Sequence, residues 1–300
     1  MLAWRLKKLV QFVLVAAALL SVSACDLEQF AGLTPAQVEG LSNAVEKKLN
    51  ALPDMNGTRV AIVARGGWAT DSVAVLKYPA SVGRQLIDNC ANASQISVEG
   101  ATASQRNAVA TCIAHNYARV EPMIPYSHAA FAVETGEGWQ IVHLLDDGQG
   151  PEVFRESIED FFGIALVENT ALVATLHNDQ QARLHSYLLG QGPTDSLAGR
   201  GYNLVAQPGE QTELQSNLFI AESLAGSAQI LAQQGFTGTH VVIPDIGGLR
   251  FLDGITQRVE MAVQPYSGFG LIEFASVEAV LDYAMARGML TDMSFVAADE

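Results

Sequence analysis

The stretch from Ser127 to Leu145 constrains the fold most. Ser127–Val133 reads SHAAFAV and Trp139–Leu145 reads WQIVHLL, and Thr135-Gly136-Glu137-Gly138 joins them. Two apolar runs separated by a short glycine-containing link are the pattern of a β-hairpin. A hairpin commits its strands to antiparallel pairing, because a parallel pair needs a long crossover. The remaining elements are then read against an antiparallel sheet.

Thr34-Pro35-Ala36-Gln37 is a capping box with proline at the first helical position, opening a helix to about Leu52. Strands are predicted at Thr58–Ala64, Thr170–Leu176, Tyr202–Ala206, His240–Ile243 and Gly270–Phe274. Helices are predicted at Val153–Phe162, from Asn178 to about Leu189, at Thr212–Ala225 and at Val277–Ala286. Residues 78–123 read as an inserted lobe, an Asn-rich loop followed by a helix near Ser104–Asn116. Strands in hairpins with helices grouped around them give an α+β fold, an antiparallel sheet with packed helices. Residues 26–300 are expected to form one such domain.

The first twenty-five residues are read as an address. Arg5, Lys7 and Lys8 precede the apolar run Leu9–Leu20, which is too short to span a bilayer comfortably, and small residues follow up to Cys25. This is a secretory signal peptide. Val22-Ser23-Ala24-Cys25 resembles a bacterial lipobox, which implies a lipid on Cys25; an ordinary signal with a chance cysteine is the other reading. Asp26, by the same resemblance, points to the inner membrane. The expected location is the periplasmic side of the cell envelope, with the membrane a partner through the anchor. Removing the signal takes the formal charge from −15 to −18. That charge opposes nucleic-acid binding, because phosphate affinity comes from Lys and Arg. It also repels anionic headgroups, so the domain should stand off the bilayer.

Of three cysteines, Cys90 and Cys112 then remain. Outside the cytoplasm a pair reads as a disulfide. Two buried free thiols, or a catalytic thiol, are the alternatives, and neither cysteine has the surroundings of an activated one.

The sequence has no G-x-S-x-G, H-E-x-x-H, Walker loop or dinucleotide fingerprint. No cofactor is expected. His128 and His143 lie on the two strands of the hairpin, with the turn near the midpoint between them. They can face each other across the ladder, and a strand-borne imidazole held by a second polar group suits a general base. Two core histidines with local hydrogen bonds fit the same spacing. With only two such residues and no third ligand at metal spacing, no metal site is expected. Ser216 and Asn217 follow a long loop near the start of a helix, where the dipole favours developing negative charge; ordinary capping explains them equally.

Several stretches carry a family resemblance: Ala64-Arg65-Gly66-Gly67, Tyr126 to Phe131, Trp139 to Leu145 and Glu159-Asp160-Phe161-Phe162. Tyr202 to Ala206, Gln215-Ser216-Asn217 with Glu222, and Gly268 to Val280 continue it. Through them the chain resembles the bacterial family known as domain of unknown function 2145. A more distant resemblance is to permuted papain-like hydrolases of the NlpC type. It implies a permuted papain-like architecture with His128 as the base, His143 as its orienting residue and Ser216 at the nucleophile position. Tyr202 would border the site, with Asn217 as a second candidate binding residue. Those hydrolases use cysteine, and serine lacks the readily formed thiolate. Asp146 and Asp147, close after His143, are candidates for a missing negative charge. Two functions follow from the resemblance. One is an anchored binding or scaffolding module for an envelope peptide, glycan or lipid, its nucleophile lost. The other is a serine-dependent hydrolase or transferase acting on an amide or ester.

Overall fold

The computed structural model describes residues 33–66, 76–117, 126, 128–146, 151–163, 169–202, 212–229, 239–242, 271–274 and 275–298. Cys25, the rest of the leader and Asp147 lie outside these, as do residues 203–206, Ile243 and Gly270 of three expected strands.

The hairpin is central. β3 (His128–Thr135) and β4 (Gly138–Asp146) pair antiparallel, from Thr135 opposite Gly138 to Phe131 opposite Val142. Gly138 closes the turn at φ +111°, a region that glycine enters at little cost. Around the hairpin, β1 (Val60–Arg65), β5 (Pro151–Glu156), β6 (Thr170–Leu176) and β11 (Leu290–Ala297) complete a six-stranded sheet ordered β11-β6-β1-β3-β4-β5. All its pairings are antiparallel. The chain is thus an α+β protein with helices packed on an antiparallel sheet.

The two faces of this sheet carry different helices. On one, Ile62, Ala64, Ala129, Phe131, Val133, Val142 and Leu144 share a core with α5 (Asn178–Leu189), α7 (Ser216–Ser227) and α8 (Val277–Ala286). Every residue of α7 except Glu222 and Gly226 is buried, as in a helix enclosed on all sides. On the other face, Ala61, Val63, Ala130, Ala132 and Ile141 pack with α1 (Pro35–Asn50) and α4 (Ile158–Phe162). The α1 capping box forms as expected, Thr34 accepting from the Gln37 N–H. Ser157 caps α4 through the Asp160 N–H at 3.0 Å.

Three expectations are corrected. Val153–Phe162 is not one helix: β5 ends at Glu156 and α4 begins at Ile158. The exposed residues of this edge strand, Glu152 and Arg155, are three apart and pass for a helical stripe. Cys90 is not in a loop but in α2 (Ala80–Ala93), whose Leu86, Ile87, Cys90 and Ala91 turn inward at helical spacing. The helix expected from Thr212 begins at Ser216, after the two-residue strand β8 (Glu213–Leu214), which pairs with β7 (Gly201–Tyr202). The edge strand β11 and the short helix α6 (Gly192–Leu197) had no sequence counterpart.

Cys90 forms a disulfide with Cys112 of α3 (Ala103–Tyr117), with Cα atoms 5.9 Å apart. These two helices have their own small apolar cluster. A second sheet holds β2 (Leu76–Pro79), β9 (Thr239–Val242) and β10 (Leu271–Phe274), all antiparallel. Among the described residues no helix is long and apolar enough to cross a membrane.

Candidate functional site

Four adjacent strands contribute one polar residue each to the α4 side of the sheet. Arg65 of β1 stands directly opposite His128 of β3. His128 Nε2 lies 2.8 Å from His143 Nδ1 on β4. His143 Nε2 lies 3.0 Å from Glu156 Oε1 on β5. Glu156 is opposite Ile141, two residues from His143, so this contact is the diagonal step of an antiparallel pair. Alternation places all four on the face of Ala130, Ala132 and Ile141.

Phe161 of α4 roofs the row. Its ring centroid is 5.8 Å from that of His128 and 5.3 Å from that of His143. The Arg65 guanidinium stacks over the same ring at 4.3 Å, and its Nη1 donates to the Phe161 carbonyl. Arg65 and His143 are buried, as is most of the Glu156 side chain. His128 and Glu156 are each partly exposed as whole residues. His128 Nδ1 has no hydrogen-bond partner among the described residues.

The electrostatics follow from burial. Loss of solvent pulls the Arg65 guanidinium down to about 10, with the Glu156 charge acting the other way. Arg65 is therefore still a cation at neutral pH. Burial, then the Arg65 charge, then His143 hold the His128 imidazole well below its usual 6.5. At neutral pH His128 is a neutral imidazole able to accept a proton or a hydrogen bond.

Ser216 makes its side-chain contact away from these histidines. It opens α7, on the opposite face, and its hydroxyl meets the Tyr202 hydroxyl at 3.5 Å. Asn217 is fully buried. Its Oδ1 accepts from the Ala129 N–H at 2.9 Å and its Nδ2 donates to the Ala275 carbonyl at 3.0 Å. Gln215 donates to the same carbonyl and caps α7 through the Leu218 N–H. Gln215 and Asn217 thus fasten the start of α7 to β3 and to the segment before α8. Glu222, beside Ser216 in the quoted stretches, pairs with Arg200 at 2.5 Å.

Sequence reasoning missed two members of the row. Glu156 supplies the carboxylate sought in Asp146 and Asp147, and it was hidden by the helical reading of its strand. Arg65 was visible in Ala64-Arg65-Gly66-Gly67, but its place beside His128 depends on the β1–β3 register. Phe161 came from another of the quoted stretches. Among the described residues, no cluster of three or more His, Cys, Asp or Glu side chains is arranged to hold a metal.

No curated protein and no solved structure matches the chain. The model of a family described as an uncharacterized protein conserved in bacteria, DUF2145, matches residues 103–283. That span covers more than half of the sequence and includes His128, His143, Glu156 and Phe161, and the chain belongs to the DUF2145 family.

Proposed function

We propose that this protein is a lipid-anchored cell-envelope module that binds or scaffolds a peptide, glycan or lipid, built on a permuted papain-like fold whose nucleophilic chemistry is lost. One observation carries the reading: the histidine row and Ser216 belong to opposite faces of the sheet. A hydroxyl nucleophile needs its base within hydrogen-bond reach, and the hydroxyl of Ser216 is turned to Tyr202 instead. The papain-like reading draws on the chain order of the pieces and not on their faces. A strand-opening histidine is held by a polar residue on the next strand, and a buried helix begins later at the nucleophile position.

The envelope location is supported by the leader pattern ending at Cys25 and by the Cys90–Cys112 disulfide, a bond that persists in oxidising compartments. Cys25→Ser should release the protein from the membrane fraction, and retention there would contradict the anchor.

The test of lost chemistry is a fluorophosphonate probe applied to the full chain. No labelling of Ser216 is expected. Labelling that disappears in Ser216→Ala would replace the binding reading with a serine hydrolase.

A further inference from the structure

Arg65 is the least compensated member of the row. It is 5 % exposed and still a cation at neutral pH. A buried charge is costly unless an opposite charge or several hydrogen bonds hold it. Among the described residues no carboxylate is within ion-pair distance of its guanidinium, and Glu156 pairs with His143 instead. Of the three guanidinium nitrogens only Nη1 has a hydrogen bond, to the Phe161 carbonyl. Nε and Nη2 have no hydrogen-bond partner among the described residues. These two nitrogens share one edge of the planar group, and their N–H bonds run parallel. That edge is the fork that holds a carboxylate through two hydrogen bonds at once.

β1 ends at Arg65 and β3 begins at His128, so the two stand opposite each other at one end of the sheet. The Phe161 ring, stacked at 4.3 Å, fixes the plane of the guanidinium. His128 is partly exposed, and its Nδ1 is likewise without a hydrogen-bond partner among the described residues. We propose that Arg65 receives the carboxylate of a peptide on its Nε and Nη2 edge, with the His128 imidazole beside it. This rests on the reading of the row as the ligand-binding site and names the group that the ligand must carry. A neutral glycan has nothing to place in the fork. An anionic lipid surface is opposed by the acidic balance of the chain.

The test is NMR of the full chain labelled with ¹⁵N-arginine and ¹⁵N-histidine. The Arg65 Nε–H signal is assigned by its loss in Arg65→Lys, or by its displacement in Phe161→Leu, which takes away the ring beneath it. Three probes are titrated at constant ionic strength: N-acetyl-alanyl-alanine, its C-terminal amide and inorganic phosphate. The free carboxylate should move the Arg65 Nε–H signal to saturation. The amide should bind at least about tenfold more weakly, the effect of losing one charge-assisted pair. Arg65→Lys keeps the charge but not the fork, and should weaken the carboxylate by a similar factor, read from His128. If acid and amide bind alike, moving His128 but not Arg65, the carboxylate receptor is overturned and the row remains a peptide site. If phosphate moves Arg65 and the dipeptide does not, the fork takes another anion and the peptide carboxylate is overturned. If no probe moves Arg65 or His128, the receptor and the row as a peptide site both fall.

Discussion

The two faces of the six-stranded sheet are built from the same strands but solve different problems. The face under α7 is apolar throughout, with Phe131, Val133, Val142 and Leu144 meeting Leu218, Phe219 and Ile220. Its polar groups are at its edge, where Gln215 and Asn217 meet backbone groups. The face under α4 is apolar only over part of its width. Its end carries Arg65, His128, His143 and Glu156, where His128 bonds His143, His143 pairs with Glu156 and Arg65 donates to the Phe161 carbonyl. Burying such a row is costly unless every member is paired, and an apolar surface of equal volume is often as stable. The contrast separates a face that holds the fold together from a face whose polar row is better explained by a site.

The sharpest way to break this comparison is to remove one phenylalanine from each face. Phe219→Ala and Phe161→Ala should each cost about 4 kcal/mol in urea unfolding, as large-to-small changes in a core do. Only Phe161→Ala should alter the diethylpyrocarbonate reactivity of His128, because only Phe161 covers the row. Equal changes in reactivity from both would mean that the faces are not separate.

Next in size is the fastening of α7. Asn217→Ala leaves the buried Ala129 N–H without its acceptor and should cost about 2 kcal/mol in the same measurement. A loss below about 0.5 kcal/mol would mean that Asn217 is not the structural clamp described above.

The smallest effect is on pH dependence. The folded state holds His128 well below 6.5, so the unfolded chain binds the extra proton once the pH falls below that value. The stability that neutral His128 contributes is complete above pH 6.5 and is lost as the pH falls toward its folded value, by at most about 1.4 kcal/mol per pH unit. His128→Asn should therefore lose less stability than the natural protein between pH 7 and 5 (denaturant midpoints at both values). Parallel losses would place the pH dependence elsewhere.

Much of the sheet was legible in the sequence because its signals are local. The Thr135–Gly138 link and the flanking apolar runs specify the hairpin, and the start of α1 is written in Thr34, whereas Asn178, expected as the cap of α5, is its first helical residue behind His177, which makes no side-chain cap bond. The spacing of His128 and His143 was legible for the same reason. Glu156 was not, because the exposed residues of this edge strand, Glu152 and Arg155, fall three apart and imitate a helical period. The face occupied by Ser216 was hidden for a different reason. β3 is buried on both sides, so SHAAFAV shows no polar alternation to tell one face from the other. Which face receives α7 is determined by packing between segments far apart in the chain.

The separation of Ser216 from the histidine row is tested most directly by the pH dependence of iodoacetamide alkylation of Ser216→Cys. With no base in reach, the new thiol should react slowly at neutral pH and titrate at or above about 8.5, as an unactivated cysteine does. A thiolate already formed at neutral pH, and lost when His128→Ala is added, would put the serine and the histidine in one site and contradict the account.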